Sequence, residues 1–177
     1  MENNANRGNI NKDKDEFVST IITNRQGKVF IFIRKDDLKL DAGKKDFISG
    51  HIKESEIPIH AMYREINEET GILPEEILRF FNLGEMNLPH PLIKDKKVYT
   101  YCVMIDFTIE QLQKSINNKA KDKEFKAIRQ LENMDELLHD MKNRSSDWRI
   151  FCSEELEQKI NMASKLINTN IKDILAK

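Results

Sequence analysis

The segment Gly50–Ile72, GHIKESEIPIHAMYREINEETGI, limits the fold more than any other stretch of this 177-residue chain. From Ile57 to Thr70 it reads as an amphipathic helix, closed by Gly71 at the position after the last turn, where a left-handed residue is needed. On a helix Glu65, Glu68 and Glu69 fall at i, i+3 and i+4 and share one face. Ile59, Met62 and Ile66 lie on another face, with Tyr63 and Thr70 beside them, and the small Ala61 leaves the acidic stripe uncrowded. Such a helix must lay its apolar side on a sheet while holding three acids together. Like charges one turn apart oppose helix formation by about 0.2–0.5 kcal/mol per pair. In the C-terminal half the helix dipole disfavours anions as well. A hard divalent cation with oxygen ligands would compensate for both effects; the alternative is a solvated acidic face.

The remaining sequence supplies the sheet. FVSTIIT (17–23) and KVFIFIR (28–34) read as strands joined by the turn NRQG, a hairpin. A charged loop (35–45) leads to a short strand, DFISG (46–50), directly before the helix. LRFFNLGEMNL (78–88) is strand-like, residues 89–97 read as a loop, and VYTYCVMIDF (98–107) is the strongest strand. A short helix (108–116) with Thr108 as N-cap, a strand (124–131) and a second short helix (133–141) follow. Ser153–Leu175 is predicted as a long helix, with Leu156, Ile160, Ala163, Ile167, Ile171 and Ile174 at spacings of three and four. This order of mixed elements predicts an α/β fold, an α/β/α sandwich with a mixed sheet and a C-terminal helical extension. The expected organisation is a disordered tail over 1–15, one domain over 16–150, and the helix of 151–177 packed on that domain or on a partner subunit, which leaves a homodimer open.

Composition excludes several classes. Hydrophobic residues at 39% are enough for a core, and a net charge of −1 argues against a general affinity for nucleic acid. No apolar run reaches the roughly 18 residues that span a bilayer, so no membrane partner is expected. The N-terminal residues lack the apolar centre of a signal peptide. Cys102 and Cys152 form no CxxC and are expected to be reduced thiols, consistent with a cytoplasmic location.

Gly50, Glu56, Arg64, Glu65, Ile66, Glu68, Glu69, Gly71 and Ile72 together resemble the Nudix box, G-x5-E-x7-R-E-U-x-E-E-x-G-U with U aliphatic, and every fixed position is filled. The resemblance implies a Nudix hydrolase that uses Mg2+ or Mn2+ to cut the pyrophosphate linkage of a nucleoside diphosphate or triphosphate derivative, releasing a nucleoside monophosphate. It implies Glu65, Glu68 and Glu69 as metal-ligand carboxylates, the Gly50 carbonyl as a further ligand, and Arg64 as the residue that orients the carboxylates. By the same resemblance Glu56 stabilises the approach to the helix or holds metal through water, Gly71 is structural, and Ile66 and Ile72 are core. The family's general base is often a glutamate in the box or on a loop outside it. The outside candidate is Glu124, as base or extra metal ligand, with a surface charge as the alternative; Glu85 is a second.

The pair Gly50-His51 also occurs in the isopentenyl-diphosphate isomerase branch, but the upstream cysteine that branch uses is absent, and His51 reads as a loop residue, with a ligand role as the alternative. The substrate is expected to be a nucleotide-derived small molecule. Pro89 lies near the place of a proline common in ADP-ribose hydrolases, a weak signal. Phe80, Phe81, Tyr99 and Tyr101 are core residues or base-stacking rings, and Trp148 is an anchor for the last helix or a pocket wall. Two rival functions remain: an RNA 5'-end pyrophosphohydrolase, served by Lys94, Lys96 and Lys97 or by Lys119, Lys121 and Lys123, and a nucleotide-sensing Nudix domain without turnover.

Overall fold

The computed structural model describes residues 16–39, 41–90, 93–150 and 152–175. The predicted tail over 1–15 and the side chains of Lys94 and Ile174 lie outside the described residues. The strands are β1 (Glu16–Asn24), β2 (Val29–Arg34), β3 (Lys45–Asp46), β4 (Ile48–His51), β5 (Ile77–His90), β6 (Ile93–Ile105) and β7 (Phe125–Leu131). The helices are α1 (Pro58–Thr70), α2 (Ile109–Lys119), α3 (Met134–Asn143) and α4 (Glu154–Leu175).

All seven strands belong to one mixed sheet. Along one edge of β1, Phe17–Thr20 pair antiparallel with β4 and Ile22–Thr23 with β2. Along the other edge β6 runs parallel, from Glu16↔Lys97 to Asn24↔Ile105. Strand β2 in turn pairs antiparallel with β3 and β7. The central strands are covered on both faces, which is why β6 reads as an almost unbroken apolar run rather than an alternation.

Two apolar clusters flank the sheet. On one face Val18, Ile22, Phe30, Ile48 and Val103 meet Ala61, Met62 and Ile66 of α1 and Leu112 and Ile116 of α2. On the other, Ile21, Val29, Ile31, Phe47 and Met104 meet Leu137 of α3 and Leu156, Ile160, Ala163 and Ile167 of α4. This is the α/β/α sandwich with a mixed sheet that the sequence predicts. The stripe of α4 is used within its own chain, against β5 and α3. Each fully buried Ile or Leu in it is worth roughly 1.5–3 kcal/mol relative to exposure.

Two local expectations are corrected. Residues 89–97 are not simply a loop: β5 and β6 form a long hairpin whose register includes Leu88↔Lys96 and His90↔Ile93. Pro89 is tolerated because β5 is an edge strand and the register shifts between Leu88 and His90, where no ladder bond needs its missing N–H. The short helix predicted over 108–116 continues to Lys119. Its N-cap is as expected, with Thr108 and Gln111 bonded reciprocally in a capping box.

Candidate active site

Helix α1 begins with Pro58 at its first turn, where a missing N–H costs nothing, and ends at Gly71 with φ 74°. Its apolar face docks on the sheet, and this turns Glu65 and Glu69 toward β4. The approach is so close that a methyl group at position 50 would sit 2.0 Å from Glu65 Oε1. Only a glycine gives the Glu65 carboxylate that space. The predicted shared face is present: Glu65 and Glu69 are buried and Glu68 is half-buried.

Arg64 organises the outer part of the cluster. It grips Glu56 with two bonds, Nε to Oε1 and Nη2 to Oε2, both 2.9 Å. Its Nη1 reaches Glu65 Oε1 at 2.5 Å and Glu68 Oε2 at 2.9 Å, and its Nη2 also donates to the His51 carbonyl at 2.8 Å. The hydrogen bonds from Arg64 hold the Glu56 carboxyl below its ordinary range, and the acids raise the guanidinium's pKa in return. The backbone at Lys53 closes this corner by donating to Glu56 Oε2 at 2.9 Å.

The inner part is more acidic. Burial raises the pKa of Glu65. Burial raises that of Glu69 further, and the nearby charges of Asp46, Glu124 and Glu65 add to the effect, opposed by the backbone N–H of Ser49. Glu69 Oε2 is buried without a hydrogen-bond partner. Glu124, just ahead of β7, is drawn to this cluster by Arg34, whose Nη1 lies 2.8 Å from its Oε2. The same Nη1 lies 3.5 Å from Oδ2 of the fully buried Asp46, which Arg149 Nη1 also approaches, at 2.8 Å. Glu85 lies elsewhere, on β5, paired with Lys97.

Thus Gly50, Arg64, Glu65, Glu68, Glu69 and Glu124 are brought into one neighbourhood. Sequence reasoning missed Arg34, Asp46 and Arg149, whose pairing spans 103 positions in the case of Asp46 and Arg149 and leaves no local pattern. Trp148 is buried, donates from Nε1 to Asp140 at 3.0 Å and packs on Phe47, so it anchors the segment before α4.

Among the described residues, no group of three acidic, histidine or cysteine side chains is already closed around a common point for a metal. Arg64 instead bridges Glu65 and Glu68. The donor set nevertheless fits a hard divalent cation. Its acceptors are oxygens, Glu69 keeps a buried oxygen without a partner, and the acids around it are in excess of the cations that touch them.

This fold, with a glutamate-lined helix packed against a glycine strand, defines the class, and the comparisons agree. A model of the NUDIX domain matches residues 15–153, and the chain belongs to the Nudix family. An RNA pyrophosphohydrolase of Xylella fastidiosa (strain 9a5c) is 42% identical over 60 residues, which are 34% of this chain and 29% of that protein. The chain therefore matches less than a third of that relative's length. A NUDIX hydrolase from Nitrosomonas europaea superposes with a TM-score of 0.59 at 16% identity, covering 84% of this chain and 89% of the other. An Ap4A hydrolase from C. elegans, solved as a binary complex, gives 0.59 at 13% identity over 87% and 98%.

Proposed function

We propose that the protein hydrolyses the pyrophosphate linkage of a nucleoside diphosphate or triphosphate derivative with the help of Mg2+ or Mn2+. The observation that carries this reading is the packing of Glu65 against Gly50, with an unpartnered buried oxygen on the neighbouring Glu69. Glu65, Glu68 and Glu69 would hold the metal, with the Gly50 carbonyl as a further ligand. When bound, the metal supplies charge neutralisation at the phosphates and lowers the pKa of the attacking water.

The chain's own residues do the rest. Arg64 sets the rotamers of Glu56, Glu65 and Glu68 through bonds to all three. Glu124 is placed by Arg34 to accept the proton of the attacking water. A bond forms between the water oxygen and phosphorus while the anhydride P–O bond breaks. The products are a nucleoside monophosphate and a phosphate-bearing fragment.

A second reading is action on the 5' end of RNA. It is supported by the name of the Xylella fastidiosa relative and by Lys96 and Lys97 on β6, over the rings of Phe17 and Tyr99. Lys97 is already paired with Glu85, which weakens a phosphate-binding role. The complete set of box carboxylates argues against a sensing domain without turnover. A cytoplasmic setting is supported by two free cysteines, of which the buried Cys102 has its thiol pushed up to about 12 by burial. Among the described residues no helix is long and apolar enough to cross a membrane.

The test is a panel of nucleoside triphosphates, dinucleoside polyphosphates, nucleotide sugars and a 5'-triphosphorylated RNA, each with Mg2+ or Mn2+. Chromatography of the products reports both the substrate and the bond cut. Metal-dependent release of a nucleoside monophosphate supports the first reading. Selective cleavage of the RNA supports the second.

A further inference from the structure

We propose that Arg149, on the segment between α3 and α4, is a positioning residue that acts through Asp46 and Arg34 to hold Glu124 beside Glu69. The inference rests on the reading of Glu124 as proton acceptor given above.

The path is continuous. Arg149 Nη1 donates to Asp46 Oδ2 at 2.8 Å. Asp46 Oδ2 is 3.5 Å from Arg34 Nη1, and that same nitrogen donates to Glu124 Oε2 at 2.8 Å. Arg34 is thus shared between two acids. Asp46 is fully buried and needs a cation, because an unpaired charge in the interior is strongly destabilised. Arg149 meets that need, and this leaves the short bond of Arg34 for Glu124. Without Arg149, Asp46 would draw Arg34 to itself and Glu124 would lose its only ion-pair partner within 4 Å among the described residues.

Arg149 is itself held from several sides. Its backbone N–H donates to the Lys45 carbonyl at 3.0 Å, and Trp148 forms a bridge to Lys45. Its Nε lies 3.5 Å from Asp41 Oδ2. Close by, Lys45 Nζ and Trp148 Nε1 both bond Asp140 Oδ2, at 2.6 and 3.0 Å. The linker into α4 is therefore fastened to β3, two residues ahead of β4, the strand that carries Gly50. The C-terminal part of the chain is in this way joined to the carboxylate cluster on the far side of the sheet.

The test is a double-mutant cycle of Arg149→Gln and Glu124→Gln, read both in kcat and in melting temperature. Arg149→Gln alone is expected to lower kcat by about 10- to 100-fold with little change in KM, the size expected when a reacting group is misplaced. In the Glu124→Gln background the same change should alter kcat by less than about twofold, since there is no longer a base to misplace. Arg149→Lys, which keeps a charge for Asp46, should recover most of the loss. A merely structural arginine would lower kcat by the same factor in both backgrounds, and that result overturns the proposal. So does full activity of Glu124→Gln.

If Arg149→Gln does not fold, Asp46→Asn/Arg149→Gln is measured instead: with no buried carboxylate competing for Arg34, kcat is expected within about threefold of wild type, and a folded double variant that has lost about 10-fold or more overturns the proposal. If the wild-type protein hydrolyses nothing in the panel, the proposed function fails instead, and the melting temperatures still decide the relay. Non-additive shifts for positions 149 and 124 support it, and additive shifts overturn it.

Discussion

Gly50 and Glu65 occupy complementary space: a Cβ on residue 50 would lie 2.0 Å from Oε1 and 2.1 Å from Cδ of the glutamate. The glycine of the box is thus required by the carboxylate across from it rather than by a left-handed backbone. Gly50→Ala must push Glu65 out of its place between β4 and Arg64. The expected result is a loss of kcat of about 10²-fold, as for a misplaced reacting group, with the far-ultraviolet circular dichroism unchanged. Wild-type kcat in the alanine variant would show that this contact does not position Glu65.

Arg64 contacts three glutamates and one carbonyl at once. A lysine ammonium cannot reproduce that planar fork. Arg64→Lys is expected to cost about 1–3 kcal/mol of stability, because it leaves partly buried carboxylates short of donors. Chemical denaturation measures the cost. An unchanged midpoint and slope would mean that water replaces the arginine without loss.

Helix α1 was readable because its signals are local. The i, i+3, i+4 stripe, the closing Gly71 and the apolar face are all within a few residues of one another, and each element agrees with the rest. The hairpin β1–β2 was readable for the same reason, through the turn at Asn24–Gly27. The pairing of β1 with β6 was not, since a parallel neighbour some 80 positions away is chosen by burial on both faces and has no turn to announce it. Residues 89–97 read as a loop because of their prolines and lysines, whereas Pro89 falls on the edge strand β5, where a missing N–H is tolerated. Glu124 could be named as a candidate from its place ahead of a late strand. Its partners could not, because Arg34 and Asp46 look like ordinary strand-end charges until Arg149 is folded against them.

The buried pair Lys45–Asp140, at 2.6 Å, gives a pH dependence. Burial opposes ionisation of Asp140, but the bonds from Lys45 and Trp148 prevail and hold its pKa below the ordinary value of 3.8. A carboxyl with a depressed folded pKa contributes stability that is fully present above the unfolded pKa and is lost as pH falls through the folded one. Asp140→Asn should therefore lower the melting temperature by a constant amount from neutral pH down to about 4, the ordinary aspartate range. Below that the gap between the variant and the wild type should shrink. A gap that stays the same down to pH 2 contradicts the assignment.

The proposed function assigns metal-dependent hydrolysis of a nucleotide pyrophosphate bond to the carboxylate face of α1. Its most direct test is the rate of nucleoside monophosphate release by wild type and by Glu69→Gln, on the best substrate of the panel, with saturating Mg2+ and with a chelator. Glu69 is the buried acid with an unpartnered oxygen, and its amide keeps the shape while removing the charge. The expected outcome is turnover by the wild type that the chelator abolishes, and a kcat at least about 10²-fold lower in a folded Glu69→Gln protein. Equal rates for the two proteins, or turnover that persists without the metal, would contradict the account.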